Sequence, residues 1–229
     1  MSLVDIIKKI CNKLRKNYIL RYKKMPDLFS FGDKYDGYLF CIDNLNDSSV
    51  VYSFGIGEDL EFSEVIIKEL NCNVYAFDPT PKSINYVHNH KLFNDGRFNF
   101  YPVGLADYDG VAQFHLPKND DYVSGSIDRW DGVKNESIEV DVKKLKTIMN
   151  ELGHKKIDLL KMDIEGTEFS IIGDIVNSNI DVRQICVEVH DRFYSDGSNR
   201  LIEMREKLKM AGFSLVGRNH DNLTFLKCT

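Results

Sequence analysis

From Val50 onward the chain alternates short β-branched or aromatic runs with stretches of helical periodicity, which restricts it to βαβ units around a mainly parallel sheet. The spacing predicts strands near 50–54, 73–77, 98–103, 157–162 and 184–189. Helices are predicted over 60–70, 81–92, 143–152, 168–177 and 198–211, with Gly212 ending the last one before a strand Phe213–Val216. A final strand, Leu223–Leu226, follows the short polar connection 219–222, so the last two strands should form an antiparallel hairpin. Residues 104–136 lack helical periodicity and hold a strand-like stretch, Val111–Leu116, followed by a loop rich in Asp, Gly and Ser. A long loop at the carboxyl edge of a parallel sheet suits a substrate lid as well as a plain connection.

With 229 residues and 43% hydrophobic content the chain can bury one sizeable core. The expected organisation is a basic amphipathic helix within residues 1–30 and one α/β domain over 31–229. Leu3, Ile7, Ile10, Leu14 and Tyr18 form the apolar stripe of that helix, which is expected to end before Pro26. Cys11, Cys41, Cys72, Cys186 and Cys228 are odd in number and far apart, which argues against disulfides or zinc and for a reducing, cytoplasmic setting. No apolar run approaches the roughly 20 residues of a membrane span, and the N-terminus has no signal-peptide core.

Residues 1–25 carry a formal charge of +7, leaving −12 for the rest, so the main body offers no broad attraction to nucleic acid. Peripheral membrane contact through residues 1–24 is conceivable on that charge, but a helix docked on the domain with a solvated basic face is preferred.

The strongest local signal is the run Val50 to Asp59, a buried strand entering a glycine turn at Gly55 and Gly57. Leu60 stands where a dinucleotide fingerprint wants its third glycine, and Glu58 and Asp59 would repel a pyrophosphate. S-adenosylmethionine has no phosphate and carries two cationic groups, so acids at this turn suit it better. Asp78 ends the next strand 21 residues after Gly57, placed to accept from both ribose hydroxyls or to cap the turn that continues through Pro79. Asp163 ends the central strand 157–162, and Glu165, Gly166 and Glu168 follow, the two glutamates complementing a helix N-terminus.

Together these residues resemble the FkbM-type family of class I S-adenosylmethionine-dependent methyltransferases. Lys161, Asp163, Glu165, Gly166 and Glu168 match its Lys-x-Asp-x-Glu-Gly-x-Glu signature, and Asp36-Gly37-Tyr38 matches part of an upstream segment found in one branch. The resemblance covers about residues 31–227. It implies a Rossmann-like sheet of order 3-2-1-4-5-7-6 with the last strand antiparallel, and methyl transfer usually to a hydroxyl of a sugar, polyketide or similar acceptor. Ser53 departs from the class, standing where many members carry the acid that holds the methionine amino group. The expected cofactor set is Ser53, Phe54, Gly55, Gly57, Glu58, Asp78, Pro79 and Asp163.

The fifth strand ends in Glu188 and His190 beside the end of the fourth. His190 is read as the base that takes the acceptor proton, with Asp163 and Glu188 beside it. A divalent metal on those three residues, or a plain strand-end role for His190, are the other readings; the preferred one has no metal. Trp130 and Tyr122 could stack on a sugar ring or simply pack on the domain. The expected function is O-methylation of a sugar or other small hydroxyl acceptor. A non-catalytic nucleoside-cofactor binding protein and a nicotinamide-dependent oxidoreductase are the rivals.

Overall fold

Val51, Tyr52, Ser53 and Phe54 are all buried, as a strand covered on both faces requires, and they lie in β3 (Val50–Phe54) at the centre of a seven-stranded sheet. The computed structural model describes residues 14–22, 24–25, 27–32, 37–118 and 125–228. Two short strands come first, β1 (Phe29–Phe31) and β2 (Tyr38–Phe40), an antiparallel ribbon apart from the main sheet. After β3 come β4 (Asn73–Phe77), β5 (Phe98–Tyr101), β6 (Gly104–Leu105), β7 (Gly110–Pro117), β8 (Val133–Lys143), β9 (Ile157–Met162), β10 (Val182–Glu188), β11 (Phe213–Asn219) and β12 (Asn222–Lys227). The helices are α1 (Glu61–Leu70), α2 (Pro81–Asn89), α3 (Leu145–Glu151), α4 (Glu168–Asn177) and α5 (Gly197–Met210).

The main sheet runs β11-β12-β10-β9-β3-β4-β5, parallel from β10 to β5, with β12 antiparallel to β10 and β11. Renumbered along the sheet's own strands this is the order 3-2-1-4-5-7-6 implied by the resemblance. The two faces are filled from different helices. Ile148 of α3, Ile172 of α4 and Leu208 of α5 pack with Tyr52 and Phe54, while Phe62 and Ile66 of α1 and Val87 of α2 pack with Val51 on the opposite face. β2 completes that second face, where Phe40 meets Phe62 with ring centroids 6.3 Å apart. Buried Gln184 of β10 fastens the ribbon by accepting from the Cys41 N–H at 2.8 Å and donating to the Cys41 carbonyl at 3.0 Å.

Between β5 and β9 the chain departs from the expected polar loop. β8 is an eleven-residue strand that pairs antiparallel with β7 and parallel with β6, over a small core of Ala106, Ala112, Val140 and Val142. Its polar Lys-Asn-Glu-Ser stretch, 134–137, interrupts the apolar pattern, while Val133, Val140 and Val142 are buried. The expected helix from 143 accordingly begins at Leu145.

Residues 14–19 are helical, as expected, but the buried face is a different one. Ile19 and Leu20 enter the main core, whereas Leu14 and Tyr18 are exposed, Tyr18 by 69%. The i, i+4 pair Leu14 and Tyr18 points to solvent instead. The basic charge here is taken up by the domain: Lys16 pairs with Asp191 and, at 2.8 Å, with Asp221. Leu3, Ile7, Ile10, Cys11, Pro26, Asp36 and Tyr122 lie outside the described residues. No helix among the described residues is long and apolar enough to cross a membrane. Cys41, Cys72 and Cys186 are buried free thiols, and Cys228 is an exposed one.

Candidate active site

The carboxyl edge of β3, β4 and β9 opens into a cavity of 440 Å³, inside the range of about 300–1,000 Å³ typical of small-molecule sites. Open α/β sheets collect ligands there because the strand order reverses between neighbouring strands and leaves a crevice.

The glycine turn forms one side of it. Gly55 (φ +75) and Gly57 (φ +54) both occupy the left-handed region, and a Cβ on Gly55 would stand 1.6 Å from the Asp163 carbonyl oxygen. The turn is tied down from both neighbouring strands. Buried Lys161 of β9 donates to the Gly55 carbonyl at 2.7 Å. Asp78, after β4, accepts the N–H groups of Ile56 and Gly57 on one oxygen, each at 2.9 Å. Its other oxygen accepts the N–H and hydroxyl of Thr80 at 2.9 and 2.7 Å. Asp78 therefore shapes the loop and caps the following turn, and still faces the cavity.

The opposite wall is acidic. Glu165 (φ +51) and Gly166 (φ +111) reverse the chain within three residues of Asp163, which returns the Glu165 carboxylate to 3.2 Å from Nε2 of His190. Glu188 Oε1 and Asp163 Oδ1 stand 3.5 and 3.8 Å from the same nitrogen. On the far side of the ring, Oε1 of wholly buried Glu168 lies 3.4 Å from Nδ1. Burial pulls the His190 pKa down, but the hydrogen-bonding and charge of Glu168, then the charges of Glu165 and Asp163, outweigh it and push it up to about 9.

The β7–β8 excursion lines one side of the cavity with Phe114, Gly125 and Ile127. It is fastened to the strand ends. Ser126 donates its hydroxyl to the Glu165 carbonyl at 2.5 Å, and the Tyr194 hydroxyl bridges the Asp128 carboxylate and the Gly166 carbonyl. Trp130 stacks on Phe193 with centroids 3.7 Å apart, so its ring is occupied by the domain itself.

Phe54, Gly55, Gly57, Glu58, Asp78, Pro79, Asp163 and Glu188 all line the cavity. Two residues of the expected cofactor and catalytic sets do not. Ser53 is buried on the other face of β3, because side chains alternate along a strand and Phe54 takes the cavity side. His190, 1% exposed, sits behind the carboxylates. Its raised pKa favours the protonated ring, which has no lone pair to offer, so the surrounding carboxylates work against the neutral base that the sequence suggested. Glu165, Glu168, Leu105, Phe114 and Arg192 were missing from the expected set. Glu165 and Glu168 stood inside the recognised signature, yet were read only as complements to a helix terminus.

The methyltransferase FkbM domain model matches residues 49–215. The chain belongs to that family. Its cofactor is S-adenosylmethionine, as in the FkbM family at large. The donor set fits this cofactor: Ile56, Phe77 and Leu105 supply apolar surface, while Glu58, Asp59 and Asp163 face the same cavity as acids. Among relatives of the FkbM chain, "Probable methyltransferase-like protein 24" of Homo sapiens is 27% identical over 142 residues, covering 61% of this chain and 32% of that protein. The "AMB antimetabolite synthetase AmbE" of Pseudomonas aeruginosa is 24% identical over 138 residues, 52% of this chain and 6% of that one. The chain thus spans about a third of the length of the first of these curated relatives, and far less of the second. Among solved structures, a Methanococcus jannaschii fibrillarin pre-rRNA processing protein aligns with TM-score 0.48 and 11% identity over 90% of this chain and 86% of that one.

Proposed function

We propose that this domain is an S-adenosylmethionine-dependent O-methyltransferase acting on a hydroxyl of a sugar or other small acceptor. The observation that carries the reading is the cavity's polarity: a glycine turn on one side, and the carboxylates of Asp163, Glu165 and Glu188 on the other. A cavity of 440 Å³ suits a small acceptor beside the cofactor, and the acidic body is a poor match for nucleic acid.

The Gly55–Gly57 turn, shaped by Asp78, would hold the adenosine side of the cofactor, and Asp163 with Glu58 and Asp59 its cationic side. Bound S-adenosylmethionine supplies a methyl group on a sulfonium, whose carbon–sulfur bond breaks with the electron pair left on sulfur. The chain's own work is orientation and proton handling. Glu188, lining the cavity, takes the proton of the acceptor hydroxyl and passes it to water, with Glu165, Asp163 and His190 gathered beside it.

Calorimetry with S-adenosylhomocysteine and NAD tests the cofactor, and transfer from labelled S-adenosylmethionine to a panel of sugars, polyols and amines tests the chemistry. S-adenosylhomocysteine should bind and NAD should not; product should carry the label on oxygen. Glu188→Gln should lower turnover by roughly 100-fold with S-adenosylhomocysteine affinity unchanged. Label on nitrogen would overturn the acceptor class, and binding without transfer to any acceptor would favour a non-catalytic binding protein.

A further inference from the structure

A carboxylate is a weak base for a hydroxyl as unacidic as that of water. Something else at the acidic wall has to make the acceptor more acidic, and the geometry around His190 supplies a place for it. Nε2 is ringed by Glu165, Glu188 and Asp163 oxygens at 3.2, 3.5 and 3.8 Å. Ligand atoms about 2.1 Å from an octahedral ion stand about 3.0 Å apart when adjacent and about 4.2 Å when opposite. All three separations fall between those limits.

Asp163, Glu165 and His190 each offer one ligand atom, all within 4.8 Å of one another. Two independent features go with a ligand set rather than a simple salt cluster. Asp163 Oδ1 is buried without a hydrogen-bond partner. The other ring nitrogen of His190 faces the wholly buried carboxylate of Glu168 at 3.4 Å, the arrangement by which a second carboxylate orients a metal-bound imidazole.

We propose that Asp163, Glu165 and His190 bind one divalent first-row transition ion, with Mn²⁺ the matching probe. Two carboxylates and one imidazole favour such an ion over Mg²⁺ or Ca²⁺, which take oxygen ligands. Binding replaces the proton on Nε2 by the ion. Three protein ligands leave positions open, and Asp163 and Glu165 line the cavity, so the open positions face the acceptor. An acceptor hydroxyl held there is acidified by the cation and loses its proton to Glu188. This role rests on the methyl-transfer reading above; the ion site itself does not.

The test uses the full chain, freed of metal by chelation and dialysis, and reads Mn²⁺ binding from the electron paramagnetic resonance of the free ion. S-adenosylhomocysteine binding is measured by calorimetry on the same samples. One Mn²⁺ per chain is expected, bound at least about tenfold more weakly by Glu165→Gln and His190→Asn. Glu165 is partly exposed, so Glu165→Gln keeps the test sound if the buried His190 variant unfolds, and circular dichroism checks both. No saturable Mn²⁺ binding up to millimolar in a chain that binds S-adenosylhomocysteine overturns the ion site and leaves methyl transfer standing. Wild-type Mn²⁺ affinity in Glu165→Gln overturns it as well. Mn²⁺ bound by a chain with no affinity for S-adenosylhomocysteine supports the ion site and overturns the proposed function.

Discussion

Glu168, the first residue of α4, accepts the backbone N–H of His190 at 2.6 Å on Oε1, while its Oε2 accepts the N–H of Gly166 at 2.8 Å. One wholly buried carboxylate thereby joins the ends of β9 and β10 and faces the imidazole between them. Removing it orphans two N–H groups and leaves a buried cation without its inner partner. Glu168→Ala should cost about 3–5 kcal/mol, and Glu168→Gln about 1–3 kcal/mol, in urea denaturation. A Glu168→Ala protein as stable as the parent would show that the pair contributes nothing.

His190 should make stability depend on pH in a definite direction. The groups facing it are Asp163 and Glu165 after β9, Glu168 of α4 and Glu188 of β10, with the Phe193 ring 5.0 Å away. Its native pKa, pushed up to about 9, lies above the ordinary histidine value. The native state therefore holds the proton more tightly, and this contribution is complete below about pH 6.5 and lost as pH rises through about 9. In chelated protein, the stability difference between parent and His190→Asn should shrink from about pH 6 to about pH 9.5. An imidazole resonance titrating below about pH 7 by NMR would contradict the cationic state.

Asp78 should couple loop shape to cofactor affinity, since Ile56 and Gly57 both donate to it. Asp78→Ala should weaken S-adenosylhomocysteine by roughly 10- to 100-fold, with a lower melting temperature even without ligand. An unchanged Kd with a lowered melting temperature would confine Asp78 to capping.

At the N-terminal helix, two neighbouring positions should behave oppositely. Leu20→Ala removes a side chain from the core and should cost about 2–5 kcal/mol, whereas Tyr18→Ala, on an exposed face, should stay within about 0.5 kcal/mol. Equal effects on chemical denaturation would mean that the two faces are not distinguished.

Most of the scaffold was legible in the sequence because strand and helix periodicity encode local burial. The runs 50–54, 73–77 and 157–162 coincide with β3, β4 and β9, and the polar connection 219–222 announced the hairpin of β11 and β12. Gly55 and Gly57 were readable for the same reason: a glycine turn after a buried strand is a local necessity. β8 was missed although Ile138, Val140 and Val142 alternate with Glu139, Asp141 and Lys143, because the polar stretch 134–137 precedes them and a helical pattern follows at once.

By itself the sequence determined the sheet, its glycine turn and the acids at the strand ends. Only the tertiary structure decided what those acids do. Glu165 after β9, Glu168 at the start of α4 and Glu188 at the end of β10 converge on the His190 imidazole, and Glu168 and Glu165 raise its pKa against the effect of burial. It also turned Ser53 from the cavity, Leu14 and Tyr18 outward, and Trp130 onto Phe193. Periodicity reports which residues avoid water, a property of neighbours along the chain; charge state and ligand geometry depend on groups brought within a few ångströms by packing, and those partners are distant in sequence.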